Sequence, residues 1–311
     1  MLDVCLLGTG GSIPKPDRWL ASAYFRCNGR AVLIDCGEGT QLALKSAGIV
    51  AGQISLILIT HFHADHISGL PGMLLAMANE GRTDPIAIAG PKGIFRVVSS
   101  LLVIAAGLPF RIYFHEFPQS GGPLPEEFFE TSLHDAARLS VTAFRARHSM
   151  PCLGYRLSIG RAGKFDPERA AAQGIPVKFW GPLQRGETVE DGAGVFTPDM
   201  VLGEPRRGIE VSYVVDTRPT DTVEKAVAGS DLLICEGMFG EDKEERAKKA
   251  RHMTAREAAH LAKKACVGKL WLTHYSPSVP DPSECLAEAR SVFPDTEAGF
   301  DGMRETIRFA E

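Results

Sequence analysis

The sequence lacks any apolar stretch long enough to cross a bilayer. Its longest uncharged apolar run, Val97 to Phe110, is bounded by Arg96 and Arg111 and broken by Gly107 and Pro109, well short of the roughly 20 residues a spanning helix needs. A basic excess is missing too: 34 Lys and Arg face 38 Asp and Glu, a net charge of −4. A nucleic-acid partner would therefore have to be met by a local patch, because no global field attracts it. The seven cysteines are odd in number and form no close pairs, which excludes a disulfide framework and suits reduced thiols in a cytosol. Met1-Leu2-Asp3-Val4-Cys5 has no basic leader and reads as a strand, so a cytoplasmic protein is expected. Low-complexity tracts and short tandem repeats are absent. Gly8-x-Gly10 lacks the third glycine of a dinucleotide fingerprint and is followed by Pro14 and Pro16. Neither a Gly-x-Ser-x-Gly elbow nor a phosphate-binding Gly-Lys-Ser/Thr loop occurs.

What is present is a globular balance, 44% apolar and 23% charged in 311 residues, and a repeated pattern of strands that end in polar residues. Asp3 to Leu7 runs into Gly8-Thr9-Gly10-Gly11, and Ala31 to Ile34 ends at Asp35-Cys36-Gly37-Glu38-Gly39. Ser55 to Ile59, apolar enough to be buried on both faces, ends at Thr60-His61. Glu210 to Val215 ends at Asp216-Thr217, Asp231 to Cys235 at Glu236, and Lys269 to Leu272 at Thr273-His274. Helical patterns lie between them over Leu70 to Ala78, Ile94 to Ala106 and Thr254 to Val267. The last opens with a capping box, Thr254 and Glu257, and closes at Gly268. Glu241 to Arg251 reads as a charged, solvated helix. Alternating buried strands and helices predict an α/β fold in a single domain, 1–311. From Tyr155 to Gly194 no period is sustained, and this stretch reads as an insertion carried outside the core.

One segment concentrates metal-ligating chemistry: Thr60-His61-Phe62-His63-Ala64-Asp65-His66. A lone histidine is an ordinary polar residue. Four nitrogen and oxygen donors in a loop after a buried strand are costly unless a cation compensates them. Imidazole and carboxylate are ligands that zinc accepts, and the same donors serve manganese or iron. A pair of Zn2+ ions is satisfied by His61, His63 and His148 on one side, Asp65, His66 and His274 on the other, and Asp216 between them. His115, His134 and His260 read as surface or turn residues. His252 stands just before the capping box of the helix that leads to His274.

These motifs are similar to the metallo-β-lactamase superfamily, and within it to the ribonuclease Z family of tRNA 3′-processing endoribonucleases, over nearly the whole chain. The resemblance rests on Leu7-Gly8-Thr9-Gly10-Gly11-Ser12-x-Pro14, Leu33 to Gln41, the His61 to His66 motif with Gly69-Leu70-Pro71-Gly72, and Gly90-Pro91-x-Gly93. Downstream it includes His148 with Gly154-Tyr155-Arg156, Asp216-Thr217, His252-x-Thr254-Ala255 and Leu272-Thr273-His274. The insertion contributes Gly174-Ile175-Pro176 and Gly181-Pro182-Leu183-x-Arg185-Gly186. Two departures stand out: Tyr275-Ser276-Pro277-Ser278 replaces an Arg-Tyr pair, and the insertion carries Phe179-Trp180.

The resemblance implies an αββα sandwich with an inserted exosite arm at 155–194, two zinc ions per subunit, a homodimer, and precursor tRNA as the partner, with neither membrane nor DNA. It implies release of a 3′ trailer to leave a tRNA 3′-hydroxyl and a 5′-phosphorylated trailer. Asp216 at the bridge is expected of phosphodiesterases of this superfamily. Asp65 is expected to orient or deprotonate the attacking hydroxide, and His252 to meet a phosphoryl oxygen or the departing 3′-oxygen with Glu236 as its partner. Two zinc ions, two carboxylates and a hydroxide leave one positive charge, which attracts a phosphodiester. From Tyr155 to Gly186 six basic residues, Arg156, Arg161, Lys164, Arg169, Lys178 and Arg185, face two acidic ones. With Phe179 and Trp180 exposed, that asymmetry predicts an RNA-gripping surface at Arg161, Lys164, Arg169, Lys178 and Arg185. The alternative is a small-molecule hydrolase of the same fold: a cyclic phosphodiesterase, an arylsulfatase-like enzyme or a thioester hydrolase. A non-catalytic metal-binding RNA module is a third reading, and the intact donor set argues against it.

Overall fold

Short apolar runs punctuated by Gly, Asp and Thr become strands in the computed structural model, which describes residues 1–129, 139–192 and 194–310. The chain begins with β1 (Leu2–Gly8), β2 (Ser22–Cys27), β3 (Arg30–Ile34), β4 (Ile54–Leu58), β5 (Ile86–Pro91) and β6 (Ile112–Phe117). It continues with β7 (Gly121–Pro123), β8 (Leu139–Arg147) and β9 (Pro151–Arg161), a small separate hairpin of β10 (Val189–Asp191) and β11 (Gly194–Phe196), then β12 (Arg206–Val214) and β13 (Leu232–Glu236). β14 (Leu270–Thr273), β15 (Thr296–Ala298) and β16 (Arg304–Ile307) complete the set. Two seven-stranded sheets result, ordered β16-β1-β2-β3-β4-β5-β6 and β15-β14-β13-β12-β9-β8-β7. Each sheet is parallel in one half, β3 to β6 and β12 to β15, and antiparallel in the other.

Alternation along the strands sets the layers. In β1, Val4 and Leu6 face the other sheet, while Cys5 and Leu7 face the helices. Both faces are covered, so both are apolar. Phe25, Ile34, Leu58, Leu157, Tyr213, Ile234 and Trp271 fill the space between the sheets. Helices Thr40–Ser46, Leu70–Asn79 and Ile94–Leu101 cover the first sheet. Asp221–Val227, Ala255–Lys264 and Leu286–Val292 cover the second. The αββα sandwich expected from the sequence is what forms. The capping box closes as read, with Thr254 Oγ1 accepting from Glu257 N at 3.2 Å and Glu257 Oε2 from Thr254 N at 3.0 Å. Among the described residues no helix is long and apolar enough to cross a membrane.

The insertion differs from its reading in three ways. Tyr155 to Arg161 is the second half of β9, with Tyr155, Leu157 and Ile159 buried in the core at a strand's period; Gly154, Arg156 and Gly160 hide that period in the sequence. The segment outside the sheets therefore spans 162–205. It is closed at its neck by the Phe165–Leu202 bridge and a Gly203 N to Lys164 O bond of 2.9 Å. Second, it has its own small core of Ala170, Ile175, Leu183, Phe196 and Val201. Phe179 and Trp180 are half-buried against that core instead of exposed, and the Trp180 indole N–H donates to Ile175 O at 3.0 Å. Third, over 162–205 four basic residues face seven acidic ones, because Arg156 and Arg161 belong to the strand and Glu187, Glu190, Asp191, Asp199 and Glu204 belong to the segment. His115 lies on β6 with its ring edge against Phe117, and His260 is on the exposed side of its helix. His134 lies outside the described residues.

Glycines hold the loops of the first sheet against each other. A Cβ on Gly69 would meet Gly37 O at 1.9 Å, whereas one on Gly160 meets nothing. Gly69→Ala is expected to destabilise the protein by about 2 kcal/mol or more, in the range of forced overpacking, and Gly160→Ala by about 0.5 kcal/mol or less. Urea unfolding of the two variants checks this, and equal midpoints would show that the two loops can part.

Candidate metal centre

The parallel halves of both sheets end on the same side of the sandwich, the edge where α/β sheets bind ligands. The chain delivers its polar groups there. Asp35 follows β3, Thr60 and His61 follow β4, Asp216 follows β12, and His274 follows β14. Asp35, Asp216 and His274 have φ of 61°, 54° and 56°, a left-handed conformation that costs a non-glycine residue on the order of 1–3 kcal/mol and clusters at functional sites. Each turn swings its side chain off the sheet toward one point. Gly11 allows the approach of His274, since a Cβ there would lie 2.8 Å from the ring.

Two groups of donors face each other across Asp216. On one side stand His61, His63 and His148. The His61 Nε2 to His63 Nδ1 distance is 3.0 Å, His148 Nε2 to His63 Nδ1 is 3.3 Å, and Asp216 Oδ1 lies 3.7 Å from His61 Nε2 and 3.5 Å from His148 Nε2. On the other side stand Asp65, His66 and His274. Asp216 Oδ2 is 3.1 Å from the Nε2 atoms of both His66 and His274, and Asp65 Oδ2 is 3.5 and 3.6 Å from the same two atoms. His61, His66, His148, Asp216 and His274 are buried, and His63 and Asp65 are partly so. All seven residues assigned from the sequence as ligands meet here.

The donor set fits a cation. Asp216 Oδ2 is buried close to two ring nitrogens yet makes no well-formed hydrogen bond to either. Unpaired lone pairs this dense are costly in a protein interior, and nitrogen and oxygen atoms turned toward a common centre are what a metal compensates. The charge states agree. Burial pushes the His61 and His148 imidazoles below their ordinary range, His66 adding to the effect at His61, so both are neutral with lone pairs available. Asp216 resists burial because His274, His66 and His61 hold it well below the carboxylate range. At His66 burial favours the neutral ring, but Asp216 and Asp35 outweigh it and raise the pKa. The field that retains a proton on His66 Nε2 is the field that would retain a cation in its place.

Behind the donors lies a layer that the sequence reading did not assign. Asp35 Oδ2 accepts from His66 Nδ1 at 2.8 Å, and Thr60 bridges Asp35 to His61 Nδ1 at 3.0 Å. These bonds occupy Nδ1 on both rings and turn their Nε2 atoms inward, as partners of metal-binding imidazoles do. Ser12 N donates to Asp65 Oδ2 at 2.7 Å. The signal for Asp35 was available, because it ends a strand as Asp216 does. His252 adjoins the centre, its Nε2 3.8 Å from Asp216 Oδ1 and its Nδ1 2.8 Å from Glu236 Oε2. Burial would lower the His252 pKa, but Glu236 and then Asp216 more than offset it, and the ring is pushed up to about 9.

The residues expected to bind RNA stand apart from the centre. Lys164, Arg169, Lys178 and Arg185 are exposed on the inserted segment, with Lys178 3.3 Å from Asp191 and Arg185 2.8 Å from Glu187. Arg161 ends β9, where its guanidinium lies 5.0 Å from the Phe309 ring and donates to Ala310 O. Tyr275, at the first departure from the family pattern, is buried with its hydroxyl donating to Leu272 O and Arg18 over its ring.

Asp35→Asn keeps the volume but removes the charge that orients His66. Loss of such a partner weakens metal binding by about 10- to 100-fold. Competition with a chromophoric chelator should show a change of that size, and unaltered affinity would exclude Asp35 from the support of the centre.

Comparison with known proteins agrees with this geometry. Residues 2–96 match the family described as anti-Pycsar protein Apyc1. Ribonuclease Z of Agathobacter rectalis is 48% identical over 312 residues, covering 100% of both chains, and that of Lachnoclostridium phytofermentans is 47% identical over 310 residues, covering 99% of each. Among solved structures, the short form of human tRNase Z aligns with a TM-score of 0.70 at 25% identity, over 99% of this chain and 100% of that one. The metallo-β-lactamase fold protein YhfI of Bacillus subtilis shares the fold, with a TM-score of 0.68 at 19% identity over 98% of each chain. With close relatives matched from end to end on a metallo-β-lactamase fold that gathers a His/Asp metal-binding cluster, the chain belongs to the ribonuclease Z family.

Proposed function

We propose that the protein is a zinc-dependent endoribonuclease that removes the 3′ trailer from precursor tRNA, leaving a tRNA 3′-hydroxyl and a 5′-phosphorylated trailer. The observation that carries this reading is the end-to-end identity of 48% to a ribonuclease Z. A small-molecule hydrolase would share the donor cluster but has no such support along the whole chain.

His61, His63 and His148 would hold one ion, Asp65, His66 and His274 a second, with Asp216 shared between them. When bound, the pair supplies a nucleophile at neutral pH and positive charge for the phosphoryl oxygens. Asp65, fixed by Ser12 N, orients the attacking water and draws its proton. His252, charged and held by Glu236, gives a proton to the departing 3′-oxygen. Glu236 is itself fixed, since its Oε1 accepts from Thr217 N at 2.6 Å, so the imidazole has one orientation.

The inserted segment is assigned to tRNA binding through Lys164, Arg169, Lys178 and Arg185. Its acidic residues outnumber these, so its contribution is one of shape and local contact. A homodimer in the cytoplasm completes the reading. Leu42, Leu75, Val103 and Ile104 are exposed on the helical layer of the first sheet, and a second copy of the chain would cover them.

Three measurements test the proposal. Zinc-loaded protein should cut a 3′-extended precursor tRNA to the two stated ends, and hydrolysis of small phosphodiesters without tRNA cleavage would favour the rival. Asp216→Ala should lower bound metal and turnover together, and full activity with two metals retained would remove it from the shared position. Excising 165–202 and joining Lys164 to Gly203 should reduce precursor cleavage by about 100-fold or more while sparing a small activated phosphodiester. Equal loss of both activities would make the segment structural.

A further inference from the structure

The loop that carries His252 is held by a side chain from the loop that carries Asp216. Arg218 donates through Nη1 to His252 O and to Glu257 Oε2 at 2.8 Å, and through Nη2 to Glu257 Oε1. Glu257 is in turn fixed at the start of its helix by Thr254 N at 3.0 Å. Arg218 is also tied by its main chain, its N donating to Arg147 O at 3.1 Å, beside His148. From the other side, Arg251 Nη1 donates to His148 O at 2.6 Å, and Arg251 itself has φ of 63°. His252 thus sits just past the end of a helix, its N donating to Ala247 O at 2.8 Å, and its carbonyl is gripped by a guanidinium whose second edge is locked to the next helix.

We infer that Arg218, anchored by Glu257, is a positioning residue that sets the place of the His252 imidazole relative to Asp216. The inference rests on the reading of His252 as the group that meets the departing oxygen. A guanidinium fork suits the task. It satisfies a carboxylate with two parallel bonds and still has a donor for the carbonyl, which an ammonium on a flexible stem cannot reproduce in one geometry. The coupling runs through Arg218, Glu257 and the carbonyl of His252, none of them counted among the seven donors, with Arg218 lying 34 residues from His252 and 39 from Glu257. Misplacing a catalytic group by about 1 Å costs on the order of 100-fold in rate, so a loosened loop is expected to be felt at the proton-transfer step.

The signature is dependence on the leaving group. A p-nitrophenolate leaves without a proton, whereas the 3′-oxygen of a ribose needs one. Single-turnover cleavage of a 3′-extended precursor tRNA and hydrolysis of bis(p-nitrophenyl) phosphate are compared for the zinc-loaded parent protein and for His252→Ala, Arg218→Ala, Arg218→Lys and Glu257→Gln. Metal content and the thermal midpoint are measured on every sample. For Arg218→Ala the loss on precursor tRNA should exceed the loss on the small diester by about 30-fold or more. Half-saturation by tRNA and metal content should hold. His252→Ala should show the same bias, and Arg218→Lys and Glu257→Gln an intermediate one. If His252→Ala shows the bias and Arg218→Ala and Glu257→Gln lose both activities equally or not at all, the inference is wrong. If His252→Ala itself shows no bias, the reading of His252 fails first and the inference with it.

Discussion

The structure depends on one buried carboxylate. Asp216 is 2% exposed, sits in a strained turn, and offers one oxygen to each of two groups of imidazoles and carboxylate. An ionised side chain in such a place is tolerated only if opposite charge meets both its oxygens. The histidines around it satisfy that demand only in part, since Oδ2 remains without a well-formed hydrogen bond. A donor set that is incomplete by itself and made whole by divalent charge explains why so much of the polar chemistry of the chain is brought to one edge. Elsewhere among the described residues the interior is mostly apolar, and its buried hydroxyls, such as Ser212 and Ser230, pair with each other.

The distance across that edge is fixed by the way the sheets are fastened together. His61 belongs to the first sheet and His148 to the turn between β8 and β9 of the second. Directly beneath them, the Tyr155 hydroxyl donates to Ile59 O at 2.6 Å and Leu153 N donates to Thr60 O at 3.0 Å. These bonds cross from one sheet to the other within two residues of His61. The core between the sheets therefore does more than stabilise the fold, because its thickness sets how far His61, His63, Asp65 and His66 of the first sheet stand from His148, Asp216 and His274 of the second. A similar tie, Gly11 N to Tyr275 O at 2.9 Å, fixes the loop after β1 to the residue after His274.

The ligands were legible in the sequence because their chemistry is local or because they end strands. Four of them fall within six residues, and Asp216 and His274 each follow an apolar run. Asp35 follows one as well and carries the same signal, but its partner His66 lies 31 residues away, and a strand-end position alone does not tell a supporting carboxylate from a ligand. Arg218 and Glu257, 39 residues apart, were hidden for the same reason. The second half of β9 was missed because Gly154, Gly160 and the half-buried Arg156 and Arg161 interrupt a period that the buried residues keep. Phe179 and Trp180 looked exposed because a segment rich in glycine and proline was not credited with a core of its own.

That small core changes what the inserted segment can contribute. Its four basic residues are outnumbered by acidic ones, and Lys178 and Arg185 are already engaged with Asp191 and Glu187. Exposed ion pairs of this kind contribute little to stability, but each pair cancels most of its field at a distance. Long-range attraction of a polyanion, which requires a net positive surface, cannot come from such a segment. A projection braced by Ile175, Leu183, Phe196 and Trp180 can instead present its lysines and arginines in a fixed arrangement. Under the proposed function, contact would then depend on matching the shape of a folded partner, a shape that a single strand of RNA does not offer.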